Sequence, residues 1–527
     1  MTAQLAGVRC AYLTGEPIRF EWLGGEVAVA LVRTAFGHEY PGQLLNGEAL
    51  ITGVPAGTHA LELRSAGGDL LVEELVSVRD AAGDDPILAF ATSFDNATVP
   101  LSLRWLERLR CTVVQIYDWM ETYSSPLGRA DVYHDRIGRT IDRHALIDLI
   151  EGLKGFGAVP QAYAPVVAAD PGETPDLRLY RNDGAVESLG DLLDIMDPGA
   201  PGWHEHWLHR YGAAADELGF GGFHLDTYGY PRGAADADGK AVEIRDRYDA
   251  FVRAVRAARP HDLLSFNQVN GVPSAFDPPG PPSFRYAEVW PPNDRWRHLE
   301  GLMARSTGTG GPRGDTLAIY PPVWDEDRGD ALRTAILTEA VTTMLGIGVL
   351  IWGDSTAALR HPYYVDHERL LPEEAETVIE WHRFALRCRD LFKTGEDTSW
   401  YELDDENAAV VVSAELPVRP EPVGGAVFAR IVRTERTVVI SLLDLSGSAD
   451  GSWSDGTAPG ICSAARVSAL VPEVETWRAD VAVLGRNEGR FSPLELDVTP
   501  HREGLAVSAE VPLVAGWSVL RLEKEEN

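Results

Sequence analysis

Positive charge is scarce in this 527-residue chain, and lysine is nearly absent. Lysine and arginine together number 47 against 80 aspartates and glutamates, which leaves a formal net charge of −33 at pH 7. With no basic surplus to displace counterions from phosphates, this balance argues against nucleic acid as a partner. It also disfavours anionic membranes and polyanionic substrates, whereas a neutral ligand such as a carbohydrate remains compatible with it.

Cysteine is also sparse. The four cysteines are Cys10, Cys111, Cys388 and Cys462. They form no C-x-x-C pair and no cluster with histidine, so neither a zinc site nor a disulfide framework is predicted. The stretch from Asp236 resembles the start of a calcium loop, but its twelfth position is Arg247, where such a loop needs a glutamate. We therefore expect no metal and no cofactor.

Long apolar runs are missing as well. No stretch reaches the roughly 18 apolar residues of a membrane-spanning helix. The first residues also lack the charged segment and apolar stretch of a secretory signal. A hydrophobic content of 45% and a charged content of 24% are typical of a globular protein. These features predict a soluble, reduced, cytoplasmic protein with no membrane partner, and they leave the oligomeric state open.

The chain is too long for a single hydrophobic core, so several domains are expected. Residues 1–85 contain short segments of alternating polarity separated by glycine and proline turns, which predicts a small β-sandwich. Residues 394–527 return to this pattern, with strands predicted at 408–414, 425–433, 437–443, 505–514 and 518–523. A second, C-terminal β-sandwich is therefore expected.

Residues 86–393 alternate between strand and helix patterns. Apolar segments predict eight strands, at 112–116, 159–163, 192–196, 222–226, 263–267, 286–290, 317–320 and 348–352. Helical patterns separate most of them, and a final helix is predicted at 372–388. This alternation predicts a (β/α)8 barrel, in which functional groups lie at the carboxyl ends of the strands and in the loops that follow.

Two of the predicted strands carry a lone carboxylate near their end, Asp226 in the fourth and Glu288 in the sixth. Two acids delivered to one rim would form the pair that cleaves a glycosidic bond. One acid attacks or stabilises the sugar carbon, and the other donates a proton to the leaving oxygen. Each acid also has an ordinary alternative: Asp226 would cap the following segment, and Glu288 would be a salt-bridge partner at a strand end.

Other predicted strand ends carry groups suited to sugars, which bind through hydrogen bonds to carboxylates and amides and through stacking on aromatic rings. The candidate substrate-binding residues are Tyr117, Asp118, Trp119, Tyr163, Tyr228, Asn267, Tyr286, Trp290, Trp352 and Asp354. Four of them are candidate stacking rings, namely Trp119, Tyr228, Trp290 and Trp352. As alternatives, Asp118 and Asp354 would bond loop amides, and Trp119 and Trp352 would be packing residues.

Three motifs resemble those of glycoside hydrolase family 66, which contains endo-dextranases and cycloisomaltooligosaccharide glucanotransferases. They are Tyr117-Asp118-Trp119, the segment 222–227 with the sequence GFHLDT, and the segment 286–290 with the sequence YAEVW. The segment 11–17 is similar to the family's N-terminal domain. The resemblance implies an Ig-like domain, a (β/α)8 barrel and a β-sandwich in that order. It also implies that Asp226 is the nucleophile and Glu288 the acid/base of a retaining mechanism on α-1,6-glucans.

The sequence therefore predicts a dextranase-like retaining glycosidase that acts on α-1,6-glucans or isomalto-oligosaccharides, by hydrolysis or by transglycosylation. Two alternatives stay open. One is a catalytically degenerate barrel that only binds glycans, and the other is a retaining α-glycosidase of different specificity, such as an α-galactosidase-like enzyme.

Overall fold

The structure is a computed structural model, and it describes residues 3–226, 233–271, 280–306, 314–403, 409–471, 476–502 and 504–525. Strands dominate near both ends of the chain and alternate with helices between them. Among the described helices, none combines the length and the apolar character needed to cross a membrane.

The strands before residue 80 form two sheets. One sheet contains, in spatial order, Gln4–Ala6, Ile18–Leu23, Glu48–Ile51 and Gln43–Leu45. The other contains Ala11–Leu13, Leu70–Arg79, Gly57–Arg64, Val29–Arg33 and Glu39–Pro41. Phe20 and Ile51 of the first sheet share one buried cluster with Val32 and Leu61 of the second. Residues of both sheets therefore face a common core, and in Ile18–Leu23 the buried residues Ile18 and Phe20 alternate with exposed ones.

Nine strands of the central region pair in parallel, and they are labelled here in chain order. They are β1 Leu88–Ala91, β2 Val113–Ile116, β3 Val159–Pro165, β4 Gly222–Asp226, β5 Leu263–Phe266, β6 Arg285–Glu288, β7 Asp315–Ala318, β8 Gly348–Leu350 and β9 Trp352–Gly353. From β1 to β5 and from β6 to β8, each strand pairs in parallel with the next. A bridge between Asn267 and Tyr286 joins the end of β5 to β6. A single residue separates β8 from β9, and β9 pairs in parallel with β1. The series of paired strands therefore returns to its first member, β1.

Helices follow most of these strands. They are α1 Val99–Arg108, α2 Arg143–Gly155, α3 Pro201–Leu218, α4 Ile244–Ala258, α5 Leu299–Ser306, α6 Arg328–Met344 and α7 Pro372–Cys388. In α4 the buried residues Ile244, Tyr248, Phe251 and Val255 recur every three or four positions, which puts them on one face of the helix. Local signals set some boundaries: the Asp142 side chain caps the first turn of α2, and Gly219, at φ 82°, ends α3.

One strand prediction in this region was wrong, and one strand was missed. The segment at 192–196 forms the strand Leu193–Ile195, which pairs antiparallel with Ala168–Ala169 and Ser188–Leu189 outside the central sheet. A short apolar run does not specify its pairing partner, which accounts for this error. The strand β1 was not predicted. The two errors offset each other, and Asp226 and Glu288 still end the fourth and sixth strands.

The strands after residue 394 also form two sheets. One contains Glu396–Asp397, Val427–Arg433, Thr437–Asp444, Trp517–Lys524, Trp477–Val483 and Ser492–Pro493, with Val418–Arg419 beside Val427–Arg433. The other contains Val410–Ala414, Ala464–Val471, Gly504–Pro512 and Asp497–His501. The five predicted strands correspond to observed ones, whereas Ala464–Val471 and Trp477–Val483 were not predicted. Ile440 and Val467 belong to one buried cluster that both sheets line.

The remaining elements are short. The helix α8 spans Ser399–Leu403, and 3₁₀ turns span Pro175–Leu177, Val269–Gly271, Trp296–His298, Val323–Asp325, Asp354–Thr356, Arg389–Phe392 and Asn487–Gly489. Two hairpins pair Val132–His134 with Thr140–Asp142 and Ala357–Leu359 with His367–Arg369.

Helices α6 and α7 connect the central strands to both ends of the chain. Leu337 of α6 and Phe384 of α7 share a buried cluster with Leu443 and Trp517 of the C-terminal sheet. On the other side, Arg387 of α7 bonds the Glu73 carboxylate at 2.5 Å. These contacts pack α6 and α7 against the sheets near both ends of the chain.

Candidate active site

Asp226 and Glu288 are the last residues of β4 and β6, the two strands that flank β5. Both acids are half-buried. The pairing of β4 with β5 depends on Gly222, whose φ is 151° and at which a Cβ atom would lie 2.1 Å from the Leu263 carbonyl oxygen. Only glycine tolerates this approach, so the local sequence permits the pairing that brings Asp226 to the same end as Glu288.

Asn267, the residue after β5, joins the two carboxylates. Its Nδ2 donates to Oδ1 of Asp226 at 2.8 Å and to Oε2 of Glu288 at 3.0 Å. Its Oδ1 accepts the backbone N–H of Glu288 at 3.3 Å, which settles the orientation of the amide. Both hydrogens of this amide therefore bond a carboxylate. Asn267 was predicted to bind substrate, but in this structure it contacts the two acids.

A tyrosine bonds the second oxygen of each acid. The Tyr163 hydroxyl, from β3, donates to Oδ2 of Asp226 at 2.9 Å. The Tyr320 hydroxyl, two residues after β7, donates to Oε1 of Glu288 at 2.7 Å. Burial, and next the nearby Glu288 carboxylate, raise the pKa of Tyr320 well above its usual range, so this hydroxyl remains a proton donor. Every oxygen of the two carboxylates thus accepts a hydrogen bond from protein.

Three further tyrosines pack beside the acids. Tyr286, two residues before Glu288, is buried, and its hydroxyl lies 2.6 Å from that of Tyr364. The Tyr364 ring stacks on Tyr117, with centroids 4.6 Å apart and an interplanar angle of 16°. Tyr117 in turn contacts Tyr163, at 4.3 Å between centroids. Tyr286 was predicted to bind substrate, but it is only 1% exposed, and its hydroxyl pairs with that of Tyr364.

Polar side chains also lie between the strands, one layer below the two acids. His224 precedes Asp226 by two residues on the same face of β4. Its Nδ1 lies 3.0 Å from Nε2 of Gln115 and 2.9 Å from Oγ of Ser265. Burial lowers the pKa of His224 to about 3, so the imidazole is neutral at physiological pH. The interior below the acids is therefore polar but uncharged at this position.

Asp118 lies near this end of the strands, beside an arginine. It adopts a left-handed backbone, with φ 50°, a conformation that aspartate tolerates better than most residues. Arg139 donates to the Asp118 carbonyl oxygen at 2.9 Å, and its Nη2 lies 3.9 Å from the carboxylate. Burial raises the pKa of Asp118 to about 7, although Arg139 acts in the opposite direction.

This raised pKa predicts that Asp118→Asn stabilises the protein at alkaline pH. The folded state holds the Asp118 proton more tightly than the unfolded chain, so stability is lost as the pH rises from about 4 towards 7. Three pKa units correspond to about 4 kcal/mol. We expect the free energy of unfolding of Asp118→Asn to exceed that of the wild type by about 1 to 4 kcal/mol at pH 8 and to match it at pH 4. Urea unfolding across this range, with the exposed Asp497→Asn as control, measures the difference. An equal difference at both pH values would contradict it.

Three predicted site residues lie in the core instead. Trp119 is fully buried and donates from Nε1 to the Tyr163 carbonyl oxygen at 3.0 Å. Trp352 is 2% exposed and donates to Oε2 of Glu339 at 2.9 Å. The prediction that these rings stack on a sugar was wrong, and the packing alternative describes both. Asp354 is also fully buried, and its Oδ2 accepts the backbone N–H groups of Thr92 and Ser93, as the loop-amide alternative predicts.

Trp290 is the candidate stacking ring that the structure exposes, at 40%. It follows Glu288 by two residues, and its backbone N–H donates to Oδ1 of Asn270 at 2.8 Å. This places an accessible aromatic ring next to one of the two acids. The fourth candidate, Tyr228, lies outside the described residues.

Sequence reasoning missed Tyr320 and Tyr364 as members of the site. A signal for Tyr320 existed: Tyr-Pro-Pro follows β7 just as Trp-Pro-Pro follows Glu288 on the neighbouring β6. Tyr364 belongs to the Tyr-Tyr pair at 363–364, after the eighth predicted strand, where a barrel places its functional loops.

The chain is similar to known proteins. A family model described as Glycosyl hydrolase family 66 matches residues 70–520. Two cycloisomaltooligosaccharide glucanotransferases of Niallia circulans are 22% identical over 258 residues and 23% identical over 233 residues. These matches cover 44% and 39% of this chain but 27% and 24% of the relatives. The chain therefore matches about a quarter of the length of these curated relatives.

A solved structure shares the fold. The crystal structure of a cycloisomaltooligosaccharide glucanotransferase of Paenibacillus sp., complexed with cycloisomaltoheptaose, superposes with a TM-score of 0.80 at 14% identity and covers 99% of both chains. The family model matches far more than half of the chain, which confirms the resemblance seen in the motifs. The chain belongs to glycosyl hydrolase family 66.

Proposed function

We propose that this protein is a retaining glycoside hydrolase or transglycosylase that acts on α-1,6-linked glucans. Membership of family 66 and the names of its relatives support the class of reaction and substrate. The observation that carries the mechanism is local: one amide nitrogen, Nδ2 of Asn267, lies within hydrogen-bonding distance of both carboxylates.

This contact favours retention over inversion. Two oxygens that both lie within 3.0 Å of one nitrogen are no more than about 6 Å apart. Retaining enzymes separate their carboxyl groups by roughly 5 to 5.5 Å, whereas inverting enzymes need roughly 6.5 to 9.5 Å to admit a water molecule. The nitrogen shared by the two acids therefore supports the shorter separation of a retaining enzyme.

The residues then take the following roles. Asp226 forms a bond to the anomeric carbon while the glycosidic bond breaks, and Glu288 transfers its proton to the departing oxygen. In the second step Glu288 takes a proton from water or from an acceptor hydroxyl, whose oxygen displaces Asp226 from the anomeric carbon. Water as acceptor gives hydrolysis, and a sugar hydroxyl gives transglycosylation.

We further propose that the central strands and helices form a (β/α)8 barrel over 86–393, between β-sandwich domains at 1–85 and 394–527. The parallel pairing that returns from β9 to β1 supports the barrel. The paired sheets with shared cores at both ends support the sandwiches. In a barrel of this kind the carboxyl ends of the strands form the active face, where Asp226 and Glu288 lie.

For the substrate, we propose short isomalto-oligosaccharides, linear or cyclic, in keeping with the cycloisomaltoheptaose bound to the solved structure that shares the fold. These ligands are neutral, so the net charge of −33 does not oppose their approach. Trp290, accessible and close to Glu288, is the proposed stacking ring.

The stereochemistry of the first product tests this proposal. The wild-type protein is incubated with isomaltotetraose, and the anomeric proton signals are followed by NMR before mutarotation. We expect the α-anomer to appear first, because two displacements at one carbon restore its configuration. Initial release of the β-anomer would establish inversion, and absence of cleavage of isomalto-oligosaccharides and dextran would contradict the proposed function.

A further inference from the structure

We infer that Asn267 is a positioning residue that serves both carboxylates in both steps of the reaction, and that it does not bind the sugar. The inference rests on the proposed function and deepens it. It begins from the place of Asn267, which is 3% exposed and lies between the two acid-bearing strands. Because its two amide hydrogens both bond carboxylates, it has no N–H left for a substrate hydroxyl.

The backbone holds this amide in place. Asn267 pairs with Tyr286 through the bridge that joins β5 to β6, and its Oδ1 accepts the Glu288 N–H. The side chain therefore cannot turn without losing a contact to the strand that carries Glu288. Tyr163 and Tyr320 bond the other carboxylate oxygens, so each acid is held at both of its oxygens.

The chemistry explains why one donor shared by two acids is useful. Before the first step Asp226 is ionised and Glu288 carries the proton. After it, Asp226 is esterified and neutral, and Glu288, having given its proton to the departing oxygen, is ionised. The second step reverses this. The single negative charge thus moves between the acids, and Nδ2 of Asn267 lies within 3.0 Å of an oxygen of each. A fixed donor near the charge in both states stabilises it without reorganisation.

Asn267→Ala tests this role through the pH profile of kcat/KM. Removing a donor that favours the ionised carboxylates should move both limbs of the bell-shaped profile to higher pH, by about one unit. We also expect kcat/KM at the optimum to fall about 10²- to 10³-fold, as for the loss of one preorganised donor. Asn267→Asp keeps the shape of the side chain but replaces the donor with a third carboxylate. Asn267→Asp should also move both limbs of the profile to higher pH, and by more than Asn267→Ala does.

Asn270→Ala is the matched control. Asn270 lies on the same segment, but its side chain bonds the backbone of Trp290 and Pro291 instead of the carboxylates. The limbs of its pH profile should stay at the wild-type pH. If the limbs of the Asn267→Ala profile also stay at the wild-type pH, the positioning role is overturned, however large the loss of rate is.

A second measurement does not depend on activity. In protein labelled with carboxyl ¹³C aspartate, the signal of Asp226 is identified by its loss in Asp226→Asn. We expect its titration midpoint to rise in Asn267→Ala and to stay unchanged in Asn270→Ala. An unchanged midpoint in both variants overturns the inference even where the wild type is active. A wild type that cleaves no glucan refutes the proposed function separately.

Discussion

Asp226→Ala is expected to lower kcat/KM on isomalto-oligosaccharides by about 10⁴-fold or more, which corresponds to about 5.5 kcal/mol of transition-state stabilisation. The substitution removes the group proposed to bond the anomeric carbon, and no other described carboxylate except Glu288 shares the Asn267 amide. Initial rates of reducing-sugar release from isomaltotetraose measure the loss. The exposed Asp183→Asn serves as a control for the effect of removing one negative charge.

Azide provides a sharper test of the role of Asp226. A small anion can enter the space left by the carboxylate. It then attacks the anomeric carbon from the face that Asp226 attacks in the wild type. Rescue of Asp226→Ala by azide should therefore yield the β-glycosyl azide, inverted relative to the α-linked substrate. Retention of more than a tenth of the wild-type rate without azide would show that Asp226 is not the nucleophile.

The loss of activity in Glu288→Ala should depend on the leaving group of the substrate. For natural α-1,6 linkages, loss of the general acid is expected to lower kcat/KM by about 10²- to 10⁴-fold. An aryl glycoside with a good leaving group needs no protonation, so its first step should be nearly unaffected and the glycosyl-enzyme should accumulate. A burst of phenolate followed by slow turnover is the expected time course. Because one limb of a bell-shaped pH profile reports the general acid, the alkaline limb should also disappear.

The two variants should give opposite azide products. In Glu288→Ala, azide attacks the glycosyl-enzyme and replaces water in the second step, so the product should be the α-glycosyl azide. Opposite anomers from the two variants would assign the nucleophile and the acid/base independently of rate. If both variants gave the same anomer, or the anomers were exchanged, the assignment would be wrong.

The sequence predictions of Asp226 and Glu288 as the paired acids depend on short segments. β4 and β6 are strands of five and four residues that end in an acid, and strand periodicity with the family motifs singled out these two residues. The misplaced strand and the missed strand changed neither prediction, because the motif at each acid is local.

The environment of the acids depends on residues that are distant in the chain. Asn267 is 41 residues from Asp226, and Tyr320 is 32 residues from Glu288. Only the parallel pairing of β3 to β7 makes their side chains neighbours. No periodicity could therefore predict that one amide bonds both carboxylates or that a tyrosine bonds the second oxygen of each.

The exposure of the aromatic side chains also depends on contacts between residues that are distant in the chain. Trp119 and Trp290 look equivalent in the sequence, since each follows a short apolar strand, yet one ring is fully buried and the other is 40% exposed. The difference arises from what packs on each loop: the Trp119 ring contacts Phe220 at 5.0 Å between centroids and donates to the Tyr163 carbonyl. By itself the sequence determined the alternation of strands and helices, the family and the position of Asp226 and Glu288 at two strand ends, because these follow from local pattern. The tertiary structure decided which polar groups surround the acids and which aromatic rings a sugar can reach, because both depend on contacts between strands far apart in the chain.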